Sequence, residues 1–166
     1  MKFDKKNILL VLLVFAAIFA LVYNSFIKKD YNVSKISIVE NYNEFYTVNS
    51  CLYRTITYLN DKDVDSLILI LDKKYKSKNK INKNNLLNYL PQVNNSSTFV
   101  SRKMYYQKIN ENVTKYYVYG YIEEETFDGM GAKTDAYFIV NLDSNNKTFS
   151  IEPYSKEQFD GGIKNG

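Results

Sequence analysis

Histidine and tryptophan are missing from this 166-residue chain, cysteine occurs once and arginine twice. Without histidine the chain lacks the commonest acid–base group at neutral pH and the commonest metal ligand. A lone cysteine, Cys51, excludes an internal disulfide and a cysteine-based zinc cluster. On an apolar helical face it reads as a small core residue. There is no nucleophile–base pair, no phosphate-cradling glycine loop and no metal motif. These absences speak against enzymatic activity, and no cofactor or histidine- or cysteine-held metal is expected. Acidic residues are missing from one long stretch: from Lys73 to Lys108 nine basic side chains stand with no acidic one. From Glu111 onward acids outnumber bases, so the folded part is dipolar rather than uniformly basic. With Arg54 and Arg102 the only arginines, the basic stretch lacks an arginine cluster and reads as a solvated loop, with no nucleic-acid partner expected. A further option is an anionic wall polymer bound through Lys73 to Lys83, which salt would weaken.

Hydrophobic residues make up 45% and charged residues 24%, enough for a packed core. Lysine, asparagine, isoleucine and tyrosine are abundant. They share A/T-rich codons, so the bias also fits a low-GC bacterial genome. The segment "NILLVLLVFAAIFALVYNSFI", residues 7–27, carries no charge. An apolar helix of about 20 residues spans the hydrocarbon layer. Lys2, Lys5 and Lys6 precede it, Lys28 and Lys29 follow, and Tyr23 suits the interface. A cleaved signal peptide would need small residues after the apolar run, where Tyr23 and Phe26 stand instead. The expectation is a single-pass cell-membrane protein held by Ile8 to Ile27. Residues 1–7 form a cytoplasmic tail, 8–27 the transmembrane helix, 28–40 a stalk, 41–155 an extracytoplasmic α+β domain and 156–166 a flexible tail.

Within the domain, Phe45, Val48, Leu52, Ile56 and Leu59 recur at spacings of three and four, predicting a helix that Asn60 and Asp61 end. Val64, Leu67, Leu71 and Tyr75 predict a second, with Asp63 or Asp65 as N-cap. "INKNNLLNYLP" predicts a short third, capped by Asn82, and the lysine-rich segment before it reads as a loop. From Thr98 the period changes to two, predicting strands at about 98–110, 113–127, 134–143 and 147–154. Glu111-Asn112 and Ser144-Asn145 suit tight turns, and "DGMGA" suits a hairpin loop. That register sets Val118 opposite Leu142, Ile122 opposite Phe138 and Val140 opposite Phe149, all inward. Gly120 in mid-strand suggests a bend.

On this register Tyr117, Tyr119 and Tyr121 point away from the helices, beside Met104, Tyr106, Tyr137 and Ile139. Such a face suits a protein interface, because tyrosine offers contact area and a hydroxyl at little entropic cost. It is first of all what half-exposed strands in a tyrosine-rich chain present. Tyr116 and Glu124 are the inward polar candidates, eight residues apart on one strand. Glu125 falls opposite Asp135, a repulsion that Lys133 or a metal would relieve. Glu125, Asp128 and Asp135 could hold Ca²⁺ weakly, although a solvated acidic hairpin tip explains them as well.

The long helix with Phe45, Leu52 and Ile56, the "DSLILILD" helix and the strand run "KMYYQKINENVTKYYVYGYI" give residues 41–155 a layout that resembles the nuclear-transport-factor-2-like superfamily, also called cystatin-like. The resemblance implies three helices packed on a curved four-stranded antiparallel meander, closed as a cone. Membrane-anchored versions resemble scaffold subunits of conjugation and secretion machines, which act through protein contacts. The enzymes of this fold, similar to ketosteroid isomerase, place a carboxylate base and a tyrosine in the cavity. Two expectations follow: an interaction or assembly module, or a small-molecule-binding or isomerase-like domain using the cavity between the first long helix and the sheet.

Overall fold

The structure, a computed structural model, describes residues 33–124 and 131–164. The expected cytoplasmic tail and transmembrane helix lie outside the described residues, and among the described residues no helix is long and apolar enough to cross a membrane. The architecture is α+β: helices and a five-stranded antiparallel sheet in the order β1-β2-β3-β4-β5.

Helix α1, Tyr42–Asn60, starts where Asn41 turns its side-chain oxygen onto the amides of Asn43 and Glu44, at 2.8 and 3.2 Å. Its buried stripe is Val48, Leu52, Thr55, Ile56 and Leu59. The second predicted helix is two. Helix α2, Val64–Ile70, is capped by Asp63, whose carboxylate accepts from the Ser66 amide at 3.0 Å. Leu71 then turns extended and forms a parallel bridge to Ile151, and the Asp72 amide donates to the Ile151 carbonyl at 2.8 Å. Asp72 restarts the chain as α3, Lys73–Asn79, by accepting from Lys74 and Tyr75. The lysine-rich segment expected as a loop is thus partly helical, up to the left-handed Lys80. The third predicted helix is a single 3-10 turn, Leu86–Tyr89; Asn82 bends the chain ahead of it by accepting from the Asn84 amide.

Strand β1, Ser37–Ile38, lies in the expected stalk. It pairs with β2, Ser97–Lys108, and flanking bonds from Ser34 to Lys108 and from Val39 to Met104 extend the seam. β3, Val113–Glu124, β4, Lys133–Asp143, and β5, Thr148–Tyr154, complete a meander. Helix α4, Lys156–Lys164, stands where a flexible tail was expected.

The registers differ from expectation in an instructive way. Val118 faces Phe138 instead of Leu142, a shift of four, and Val140 faces Ile151 instead of Phe149, a shift of two. Side chains alternate with period two, so even shifts leave every face unchanged. The β2–β3 turn differs by one: Lys108 pairs with Thr114, and Asn110 accepts from the amides of Asn112 and Val113. A bulge between Ser101 and Lys103 then inserts Arg102 as an extra residue. The two halves of β2 therefore follow opposite alternations. Phe99 packs inward before the bulge, and Met104 and Tyr106 pack inward after it.

The core lies between α1 and the inner sheet face. Phe138, Leu52, Val118, Val140 and Ile151 are fully buried there. Gly120 lies opposite the bulge, paired with Ser101. A methyl group at Gly120 would collide with the Val100 carbonyl oxygen and the Phe99 ring. Gly120→Ala should cost on the order of 1–3 kcal/mol, because a strand backbone must move. Urea denaturation with an unchanged m-value would show it; a variant as stable as the parent would mean the bulge yields freely.

Candidate functional site

Of the residues expected on an exposed tyrosine face, Tyr117, Tyr119, Tyr121, Tyr137 and Ile139 do share the outer face of the sheet. Met104 and Tyr106 do not: the one-residue difference at the turn puts both in the core. The outer face is also not open. Helix α4 lies on it and Phe159, only 5% exposed, forms a second apolar cluster with Tyr117 and Ile139. The Phe159 ring meets Tyr137 at 5.3 Å, Tyr105 at 6.1 Å and Tyr119 at 6.3 Å between centroids. Tyr119 and Tyr137 stack at 4.9 Å. Beyond the helix, the Tyr121 ring lies between the guanidinium of Arg102 at 4.9 Å and the ammonium of Lys133 at 5.0 Å.

The carboxylates also find partners. Asp135 stands opposite Tyr121 and accepts from the Tyr119 hydroxyl at 3.2 Å, while Lys133 pairs with Glu123 at 3.0 Å. Glu125 and Asp128 lie outside the described residues, and among the described residues no group of three His, Cys, Asp or Glu could hold a metal ion. In the lysine-rich segment, Lys76 donates to the Ile68 carbonyl at 2.6 Å and Lys83 pairs with Asp65 at 2.5 Å.

Tyr116 is buried against Tyr106 in the core and Glu124 is half-buried at the far end of β3. They lie roughly 26 Å apart at the rise of a strand. The structure does not bring them together, and Phe138, Leu52 and Ile122 fill the space between α1 and the sheet.

Sequence reasoning missed a different surface. Tyr42, Tyr46 and Tyr53 are 76%, 63% and 69% exposed along one side of α1, next to the buried stripe. Two concavities adjoin Tyr46, and one of them reaches Tyr53. One, of about 610 Å³, is lined by Tyr46, Asn49, Tyr53, Arg54, Thr57 and Phe99. The other, of about 480 Å³, lies between α1 and the β4–β5 hairpin, where Tyr46, Cys51 and Arg54 face Leu142, Lys147 and Phe149. Arg54 borders both, its guanidinium 5.8 Å from the Phe149 ring centre. Burial pushes the Cys51 thiol up and the Arg54 charge opposes this, so Cys51 lines the concavity as a neutral thiol. Asp143 in the same wall spends its carboxylate on the amides of Asn145 and Asn146. The sequence signal was the spacing 42, 46, 53, which keeps three tyrosines on one side of a 3.6-residue helix. Comparison with protein-family models, with curated proteins and with solved structures finds no match.

Burial first, and the Glu44 carboxylate second, push the Tyr116 phenol from its ordinary 10.0 up to about 12. The folded state therefore holds this proton more tightly than the unfolded chain does. The resulting stability is fully present below pH 10 and is lost as pH rises from 10.0 towards about 12. Tyr116→Phe should remove part of that alkaline fall, measured as urea midpoint against pH with phenolate absorbance alongside.

Proposed function

We propose that the chain is a single-pass membrane protein, held by residues 8–27 with its N-terminus cytoplasmic, whose extracytoplasmic domain acts through protein contacts as an interaction or assembly module. Helices on the inner face of a bulged antiparallel sheet suit a nuclear-transport-factor-2-like, cystatin-like cone in its non-enzymatic form. The observation that carries this reading is the contrast between inside and outside. The space an isomerase-like site needs is filled with Phe138, Leu52 and Ile122, while three tyrosines stand out from α1. Exposed tyrosine is a common anchor of protein interfaces. Arg54 and Lys147 line the concavity beside Tyr46, so the surface fits a partner segment that presents a carboxylate next to an apolar or aromatic side chain.

A small-molecule reading has one feature in its favour. The concavity of about 480 Å³ at the rim of α1 is of ligand size, and its cations suit an anion. Neither Tyr116 nor Glu124 lines it, so the expected carboxylate–tyrosine pair plays no part.

A photo-activated cross-linker at Tyr46 or Tyr53 in intact cells should capture a consistent protein partner, and the same group at Asn95 should not. Equal capture from all three positions, or none, removes the α1 surface as the interface. Arg54→Glu should then cut capture at Tyr46 about tenfold by placing like charge against the partner's carboxylate.

A further inference from the structure

Helix α4 is locally well begun and then weak. Ser155 and Gln158 form a reciprocal capping box: the Ser155 hydroxyl accepts from the Gln158 amide at 3.2 Å, and the Gln158 side chain accepts from the Ser155 amide at 2.9 Å. Lys156 pairs with Asp160 at 2.8 Å one turn on. Gly161 and Gly162 follow in the last turns. A nine-residue helix has little stability of its own, and each internal glycine lowers it further. Packing does not demand Gly161. A methyl group there would meet nothing within 4 Å, and its backbone does not lie in the left-handed region. Phe159, with Ile163 one turn later, seats α4 on a floor of Tyr117 and Ile139. The capping bonds and the ion pair close within the helix and travel with it. Its joint to β5 is the single residue Ser155.

We infer that the outer face of the sheet is a helix-binding groove, that α4 fills it as a displaceable latch, and that its occupant in trans is α4 of a second copy of this chain. The segment seated in the groove shows what the groove accepts: a short helix with phenylalanine and isoleucine four residues apart, flanked by tyrosine rings. Every copy carries that segment, so two copies can exchange their helices about a twofold axis, each sheet taking the other's Phe159. Gly161 sets the latch loose enough to exchange. This surface is distinct from the α1 face, and the inference stands whether or not that face binds a partner.

The test uses the full chain and a fluorescent peptide of residues 153–166. The peptide should bind the parent chain weakly. It should bind Gly161→Ala about fivefold more weakly, because the added methyl strengthens the latch that competes with it. It should bind Phe159→Ala roughly tenfold or more tightly, because that chain cannot fill its own groove. A peptide carrying Phe159→Ala should bind none of them. By sedimentation velocity, the parent should form a concentration-dependent dimer that Phe159→Ala loses. The methyl added by Gly161→Ala meets no atom outside the helix backbone within 4 Å, so equal peptide binding by it and the parent overturns the latch even if Phe159→Ala fails to fold. A parent that stays monomeric, or a dimer that survives Phe159→Ala, overturns the second copy as occupant.

Discussion

Phe138 lies in the middle of β4 with no exposed surface, beneath α1 and edge-on to Phe99 at 5.6 Å. The packing of this ring and its neighbours against Leu52 and Ile56 orders the rest. It fixes which residues of β3 and β4 face inward and where the bulge in β2 must fall to bring Met104 and Tyr106 to the same side. It also consumes the interior volume. A domain of this size has one core to spend its large side chains on, so chemistry or recognition moves to the rims and outer faces.

The outer face solves a second problem. β3 and β4 are rich in tyrosine, and Tyr117 and Ile139 together would expose a large apolar area on an uncovered sheet. Nine residues of helix and one buried phenylalanine cover the centre of that face, leaving Tyr121 to be flanked by Arg102 and Lys133. The two layers differ in strength. The inner one joins elements far apart in the sequence through a continuous apolar cluster, whereas the outer one depends on a single short segment next to its own strand. Local opening at low free energy belongs to the thinner layer.

Much of this was legible in the residues. The stripe of Val48, Leu52, Ile56 and Leu59 predicts α1 because a long helix with one buried face leaves a strong period. The strands at β3 to β5 follow from alternation, and the faces survived misplaced turns because those errors were even. What failed had identifiable physical causes. The one-residue error at the β2–β3 turn was odd, so it put Met104 and Tyr106 on the wrong face, and the bulge at Arg102, which period-two reading cannot cross, cancelled it for Phe99. The break at Leu71 depends on a long-range partner, Ile151, that no local pattern announces. Ser37–Ile38 is too short to show a period at all. Helix α4 did carry a signal: Ser155 three residues before Gln158, then Phe159 and Ile163 four apart, but two adjacent glycines read as a tail. The tyrosines of α1 were visible in spacing, yet a polar helix face and a binding face look alike until neighbouring elements supply the concavities.

The two outer strands of the sheet end the molecule in different ways. On one side Leu71 and the Asp72 amide take up Ile151 of β5. On the other, β1 and its flanking bonds cover β2 from Met104 to Lys108, and Arg102 bends the strand. At the start of β2 the Asn60 side chain stands in for a strand, donating to the Ser97 carbonyl at 2.9 Å and accepting from its amide at 3.3 Å. Unpaired edges template pairing with a strand of another chain, and a chain rich in tyrosine and β-branched residues is prone to it. Among the described residues, these three small fittings interrupt the outer edges of β2 and β5 and shorten the run of backbone on which another copy could add as a strand. Interruptions of this kind oppose the strand-by-strand addition of copy to copy by which crowded sheets grow into fibres.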